Sequence, residues 1–315
     1  MQGRFSWHFK KRGMTIEWRY FNFKCKKIAG FFTYMVFRYA GKIGKAYLVS
    51  RIYMGKKVYG GVKKFRLADL GAKDNCFVFS DHSNIKFLAR KKIAVSGNSN
   101  DISWNLEYTD SSKHKSPLLM YRFGVMKSED VSWKLFMPCA DVKGEISVKG
   151  KRHKIDCHGY MDGNWGRWLV FDLSWRWLQL NPDKGSKKHL SVIAGDIDGS
   201  DTGEIIVIYK GKWIVFKKAS KQYSFEYKKW DKRFKPKIPK LIEIRCENSK
   251  YVLKLKAKPK IEDKFKERTP FVFLDFYIFE EIVDSQIELY KKQKGKLKLL
   301  CRTKETGFAE YSKVA

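Results

Sequence analysis

The stretch Val252-Leu253-Lys254-Leu255-Lys256-Ala257-Lys258 alternates apolar and basic residues from its second position onward. Successive side chains of a β-strand point to opposite faces, so this period of two predicts a strand with one buried and one solvated face. Apolar runs at 205–209 and 213–216 flank Lys210-Gly211-Lys212, and residues 145–149 turn at Gly150 into 152–157. Both spacings predict β-hairpins.

The same period of two recurs along most of the chain, and only residues 41–53 and 282–292 could instead be helical. Many short strands separated by turn signals predict an all-β protein made of antiparallel sandwiches or barrels. A chain of 315 residues is comfortable for two domains, and its 7 prolines form no linker. We therefore expect two closely packed β-domains, 1–157 and 158–315, with the boundary at the central motif described below.

The composition suits sizeable cores, with 43% hydrophobic and 16% aromatic residues. The formal net charge of +33 attracts polyanions or anionic membrane surfaces, unless lysine merely decorates every exposed strand. The N-terminus lacks a signal-peptide pattern, no apolar run approaches the roughly 20 residues of a spanning helix, and the cysteines form no C-x-x-C pair. We expect a cytoplasmic protein, with peripheral contact to an anionic membrane as one role for the charge.

The central motif, Cys157 to Gly166, reads C-H-G-Y-M-D-G-N-W-G. In an extended segment Tyr160, Asp162 and Asn164 share one face, which suits the lining of a cavity; a tight turn is the alternative, since Asp, Asn and Gly favour turns. A carboxyl group among aromatic rings is costly to ionise. Asp162 could therefore stay protonated near neutrality and donate a proton to an alkene, with Tyr160 hydrogen-bonding the acid or orienting water.

Three more segments accompany this motif: Glu17-Trp18-Arg19-Tyr20-Phe21, Trp175-Arg176-Trp177-Leu178-Gln179-Leu180 and Gly307-Phe308-Ala309-Glu310-Tyr311. Together with G-Y-x-D-x-N-W-G, the series resembles the lipocalin-like family of carotenoid 1,2-hydratases and AttH-like proteins, and more distantly the tocopherol cyclases. The resemblance spans nearly the whole chain. The chain departs from the family pattern at Arg19, where a second Trp is usual, and at Gly163, where a His is usual.

The resemblance implies two calycin-type antiparallel β-barrels packed side by side, with the pocket in or near the first. It also implies that Asp162 and Tyr160, which match the family motif position for position, are the catalytic residues.

Barrels of this size hold one small or elongated ligand, and aromatic interior side chains suit a polyene or isoprenoid. Their ring faces would also stabilise a developing carbocation. Glu17 is either a second pocket carboxylate or the partner of a buried arginine such as Arg19 or Arg176. The predicted substrate-binding residues are Glu17, Trp18, Tyr20, Trp133, Asn164, Trp165 and Trp177.

Metal and cofactor motifs are lacking in the sequence. The six His residues show no i, i+4 zinc pairing, the acidic loop at 196–201 fits a hairpin turn better than a calcium loop, and there is no G-x-G-x-x-G or P-loop. We therefore predict no metal and no cofactor.

The leading hypothesis is a protein that binds an apolar, isoprenoid- or polyene-like small molecule and hydrates or cyclises it by acid catalysis. The first alternative is a non-catalytic lipid carrier, which the glycine at position 163 favours. The second is a basic nucleic-acid binder whose aromatic side chains stack on bases. It is disfavoured because the lysines alternate with apolar residues around the chain and form no single stripe. The sequence makes no prediction of the oligomeric state.

Overall fold

The computed structural model describes residues 15–40, 43–73, 76–79, 83–89, 91–110, 118–123, 129–167, 174–197, 200–231, 237–268 and 275–314. These residues form strands β1 to β21 and one short 3-10 helix, Leu67–Asp69, and they contain no α-helix. The chain divides into two compact units, Met1–Trp168 and Leu169–Ala315, and each unit has its own antiparallel sheet. The all-β prediction is confirmed.

The strands of the first unit are β1 (Thr15–Lys24), β2 (Ala29–Ala40), β3 (Ile43–Met54), β4 (Lys57–Arg66), β5 (Leu70–Lys73), β6 (Cys76–Phe79), β7 (Ser83–Ala89), β8 (Lys92–Ser99), β9 (Ile102–Asp110), β10 (Leu118–Phe123), β11 (Glu129–Val148) and β12 (Lys151–Arg167). They form a 12-stranded sheet in the order β4-β3-β2-β1-β12-β11-β9-β8-β7-β6-β5, with β10 paired to β11. The sheet curls until β4 meets the β8–β9 turn, where the Gly60 amide donates to Asp101 Oδ1 at 3.1 Å. The result is a nearly closed, lipocalin-like barrel.

In the central strands, alternate side chains face the barrel core. Phe21 and Phe23 of β1 and Met161 of β12 belong to an aromatic-rich core, in which Phe32 and Trp104 stack with their ring centroids 4.3 Å apart. Because successive side chains of a strand point to opposite faces, positions 20, 22, 160 and 162 lie on the face of the sheet away from this core.

The strands of the second unit are β13 (Trp175–Leu180), β14 (Leu190–Ile197), β15 (Gly203–Tyr209), β16 (Lys212–Lys217), β17 (Tyr223–Lys228), β18 (Leu241–Glu247), β19 (Tyr251–Arg268), β20 (Asp275–Gln293) and β21 (Lys296–Val314). Their order in the sheet is β16-β15-β14-β13-β21-β20-β19-β18-β17. Polar side chains join the two halves of this sheet. Asp196 accepts hydrogen bonds from Arg176 Nε at 2.9 Å and from the Tyr223 hydroxyl at 3.0 Å, and Arg176 also donates to the Phe225 carbonyl at 2.7 Å.

Tight turns confirm both predicted hairpins. Lys149-Gly150 has φ values of 49° and 79° and Lys210-Gly211 has 48° and 77°, the positive pair that a type I′ turn requires. The helical alternatives are wrong, because residues 43–53 belong to β3 and residues 282–292 to β20. In β20 the buried residues Val283, Ser285 and Ile287 alternate with exposed ones, which is the period of a strand.

The central motif lies wholly within the first unit. β12 continues through the predicted boundary at residue 157 and ends at Arg167. It pairs with β1 from His158 opposite Lys24 to Gly166 opposite Ile16, and with β11 along its other edge.

Candidate active site

Asp162 occupies the middle of β12, opposite Tyr20 of β1 and Leu135 of β11. It is only 3% exposed. Because residues 151–167 form one continuous strand, the prediction that Tyr160, Asp162 and Asn164 share a face is confirmed and the tight-turn alternative is wrong.

Two donors hold one oxygen of the Asp162 carboxyl group. The Tyr160 hydroxyl donates to Oδ2 at 2.7 Å, and the Trp133 indole Nε1 donates to the same atom at 2.8 Å. The other oxygen, Oδ1, is buried and has no hydrogen-bond partner among the residues that the structure describes. Hydrogen bonds to the described residues therefore hold the carboxyl group through Oδ2 alone.

Burial raises the pKa of Asp162 to about 7, although the hydrogen bonds from Tyr160 and Trp133 and the positive charge of Arg19 act in the opposite direction. The neutral acid is thus well populated at neutral pH. A proton on Oδ1 leaves both hydrogen bonds to Oδ2 as they stand, whereas a proton on Oδ2 would require the Tyr160 hydroxyl to become the acceptor. In the first form the acidic hydrogen lies on the oxygen that has no partner among the described residues.

Aromatic rings surround the acid on the same face. Tyr20 stacks on Phe31 with centroids 5.6 Å apart and contacts Tyr160 edge-on at 6.3 Å, and Phe31 lies 6.3 Å from Tyr53. These rings are buried although they face away from the barrel core. They provide the apolar surroundings that make ionisation of Asp162 costly.

The predicted ligand-binding residues of the first unit divide between the two faces of the sheet. Trp165 packs against the barrel core, as expected for an interior residue. Trp18, Tyr20, Trp133 and Asn164 lie on the Asp162 face. For Asn164 this is the expected face, whereas the three aromatic residues were expected in the barrel interior.

Glu17 faces the core side and is the partner of Arg19, its Oε1 lying 2.6 Å from Arg19 Nη2 with both side chains 3% exposed. The second of the two interpretations of Glu17 is therefore correct. The Arg19 guanidinium also donates to the Trp18 carbonyl at 3.0 Å and lies over the rings of Phe136 and Trp165 at 5.3 and 5.7 Å.

Arg19 and Gly163 are direct cross-strand neighbours. A Cβ atom added at Gly163 would lie 2.8 Å from Arg19 Nη1 and 2.8 Å from the Phe136 ring. The guanidinium thus occupies space that a side chain at position 163 would need. The two departures from the family pattern form a single packing unit, on the face opposite to Asp162.

Trp177 belongs to the second unit, where it is buried in β13 opposite Glu310 of β21. Sequence reasoning missed a buried acid of this unit, Glu281 of β20, which is 1% exposed. Burial raises its pKa well above the usual range, with a further contribution from Glu262, and within the described part of the chain its Oε1 has no hydrogen-bond partner. The adjacent acids Glu280 and Glu281 were an available signal, because one of two successive residues in a strand must face the core.

Within the described ranges, no group of three His, Cys, Asp or Glu side chains is placed to hold a metal ion. The same residues include no helix that is long and apolar enough to cross a bilayer.

No family model and no curated protein matches the sequence. Solved structures do match, over almost the full length. A crystal structure from Nitrosomonas europaea assigned as AttH has a TM-score of 0.67 at 14% identity, covering 94% of this chain and 91% of that one. The chain has the AttH fold.

Kievitone hydratase from Nectria haematococca shares the same fold, with a TM-score of 0.60 at 12% identity and coverage of 95% and 88% of the two chains. CghA in complex with Sch210972 follows, with a TM-score of 0.54 at 10% identity and the same coverage. The resemblance to AttH-like proteins is confirmed in the fold, which extends through both units.

Proposed function

We propose that this protein binds an apolar, alkene-containing small molecule of the isoprenoid class and hydrates or cyclises it, with Asp162 as the acid. One observation carries the proposal. The buried Asp162 carboxyl group is held by two donors at Oδ2, and its Oδ1 has no partner among the described residues, so a proton on Oδ1 leaves both hydrogen bonds intact.

Proton transfer would begin at this oxygen. The O–H bond at Asp162 Oδ1 breaks as the alkene π electrons form a C–H bond, leaving a carbocation at the more substituted carbon. Tyr160 and Trp133 then donate to the carboxylate that remains, as they did to the acid. Water, or a nucleophile within the ligand, adds to the cation, and the proton released by that addition returns to Asp162.

The rings of Tyr20, Phe31 and Tyr160 support the cationic step, because each ring face stabilises a nearby positive charge by about 0.5–2 kcal/mol. Asp162 is 3% exposed, so the groups that bury it must move before a ligand can reach it. The name of one structural neighbour, kievitone hydratase, agrees with addition of water as the reaction on this fold.

A lipid carrier is the second candidate. Gly163 supports it, because the position beside the acid lacks the side chain that the family pattern supplies, and the Arg19 guanidinium fills the vacated space. In this case the same face would hold the ligand without turnover.

Isotope transfer distinguishes the two functions. Small molecules that co-purify with the protein from its native host would be identified by mass spectrometry and then incubated with the protein in D2O. The enzyme hypothesis predicts a product that carries deuterium on carbon. Asp162→Asn should abolish this transfer and keep ligand binding, because it preserves shape and removes the acidic proton.

Asp156→Asn is the matched control, since Asp156 lies on the same strand but is exposed, and it should retain full turnover. Full turnover by a normally folded Asp162→Asn protein would refute the catalytic role. A ligand that wild type binds and releases unchanged, with no deuterium on carbon, would instead identify a carrier.

A further inference from the structure

One end of the second unit gathers four connections that are far apart in sequence. Neighbouring strands of its sheet are antiparallel, so the β13–β14, β15–β16, β18–β19 and β20–β21 connections all lie at the same end. Hydrogen bonds join them: Lys210 N to the His189 carbonyl at 2.9 Å, the Tyr209 hydroxyl to the Leu300 carbonyl at 3.0 Å, Lys188 Nζ to the Arg302 carbonyl at 2.9 Å, and Lys292 N to the Lys250 carbonyl at 2.9 Å.

Lysine dominates these connections. The carboxylates among them are those of Asp183 and Glu247, and Glu247 is bridged by Lys292 at 2.5 Å. The segment from Tyr290 to Leu300 contains no acid. We call this surface the basic end; its lysines are Lys184, Lys187, Lys188, Lys210, Lys212, Lys250, Lys291, Lys292, Lys294, Lys296 and Lys298.

The β20–β21 hairpin projects beyond its neighbours at the basic end. The first residue of β19 pairs with Lys291, and β13 joins β21 only from Gly307 onward, so the tip is a two-stranded ribbon. Lys294 and Gly295 form its turn with φ values of 48° and 73°, again of type I′.

Two leucines at this tip are exposed among the lysines. Leu297 is 51% exposed and Leu299 is 43% exposed, and because they are two residues apart on one strand they point the same way. Leu297 has the largest exposed fraction of any large apolar side chain that the structure describes. A shallow depression of about 590 Å³ lies beside it, lined by Gln293, Lys294, Lys296, Leu297 and Lys298.

We infer that the basic end docks on an anionic membrane surface, with Leu297 and Leu299 entering the boundary between headgroups and acyl chains. Lysines near such a surface are attracted by its negative potential, and aliphatic side chains gain by leaving water at the acyl boundary. The flanking lysines match the anionic headgroups, and the projecting leucines match the acyl boundary beneath them. The inference is independent of the chemistry proposed for Asp162.

A nucleic acid would match the charge but not the leucines. Single-stranded nucleic acid is bound by aromatic rings that stack on bases, whereas the exposed apolar side chains of this hairpin are aliphatic.

Vesicle binding tests the inference. The full chain would be sedimented with vesicles of phosphatidylcholine alone and of phosphatidylcholine mixed with phosphatidylserine. We expect binding only to the mixed vesicles, weakening as salt rises. Changing Lys294, Lys296 and Lys298 together to Gln should weaken binding about fivefold for each charge removed. Leu297→Ser with Leu299→Ser should weaken it at low salt as well, where charge attraction is strongest.

The β11–β12 hairpin supplies a matched charge control. It has the same Lys-Gly turn, and its exposed lysines Lys149, Lys151 and Lys154 flank no exposed leucine. Changing these three to Gln removes the same net charge from the chain and should have the smaller effect. Val58→Ser with Val62→Ser controls for loss of exposed apolar surface.

All variants alter exposed side chains, and far-UV circular dichroism would verify their folding. The inference would be overturned if the two lysine triplets reduced vesicle binding equally. It would also be overturned if Leu297→Ser with Leu299→Ser left vesicle binding unchanged. A short oligonucleotide would be measured alongside. The protein would instead be a nucleic-acid binder if it bound the oligonucleotide tightly and did not bind vesicles, and if changing the same three tip lysines abolished oligonucleotide binding. That result would refute the membrane inference.

Discussion

Replacement of Asp162 by Asn should change how the stability of the protein depends on pH. The pKa of Asp162 is about 7 in the folded chain, against 3.8 for the ordinary side chain. Between these pH values the folded state keeps a proton that the unfolded state has lost, so stability falls as pH rises from below 4 to above 7. At about 1.4 kcal/mol for each pH unit, the full cost is roughly 4 kcal/mol above neutrality. Asn does not titrate and escapes this cost.

The variant also carries a fixed penalty. Its amide oxygen can accept from Tyr160 and Trp133, but its amide nitrogen places two N–H donors where the neutral acid has one O–H, at a position with no partner among the described residues. One additional buried donor without an acceptor costs about 1–3 kcal/mol relative to the neutral acid. We therefore expect Asp162→Asn to be less stable than wild type near pH 4 and more stable near pH 8, with the two curves crossing between.

Urea unfolding at a series of pH values from about 4 to about 8 would measure the difference. Other titrating groups, including Glu281, are common to both proteins and cancel. Asp156→Asn, which changes an exposed carboxyl group on the same strand, should follow wild type throughout. A stability difference between Asp162→Asn and wild type that stays constant over this range would show that Asp162 is already ionised at acidic pH, and the reasoning would fail.

Three further predictions concern buried charges and close packing. Gly163→Ala should lower the melting temperature by the equivalent of about 1–3 kcal/mol, because the added Cβ meets Arg19 and Phe136 at 2.8 Å; an unchanged melting temperature would contradict the packing. Arg19→Ala should cost about 3–5 kcal/mol by leaving the buried Glu17 carboxylate without this cation, and Glu17→Gln in the same chain should recover part of the loss, whereas additive losses in thermal unfolding would argue against coupling. Glu281→Gln should gain stability relative to wild type as pH rises, because burial raises the pKa of Glu281; urea unfolding would show no such trend if Glu281 were ionised.

Local pattern was sufficient to predict the strands. The alternation at 252–258 falls within β19, and the glycines at 150 and 211 mark turns that need positive φ. The helical alternative at 282–292 arose because that segment has few turn residues, and pairing along β19 and β21 decides its structure. Tertiary pairing of this kind is not visible in a single window of sequence.

The face of the sheet on which the acid lies could not be predicted. In β1 nearly every residue from Thr15 to Phe23 is buried, so both faces are apolar and alternation no longer distinguishes the core from the opposite side. Two bulges in β11, between Leu135 and Ala140, further shift its register against β12. The basic end was equally hidden, because its lysines are brought together only by the topology of the second sheet.

Asp162 and Arg19 lie on opposite faces of the same sheet, yet the charge of Arg19 lowers the pKa of the acid. Residues on the core-facing side of the sheet therefore influence the pKa of Asp162. A substitution among the core-facing residues, such as Glu17 or Arg19, would alter the field at the carboxyl group while leaving the side chains on the Asp162 face unchanged. The pKa of Asp162 and the shape of the surface around it are therefore set by different faces of one pair of strands.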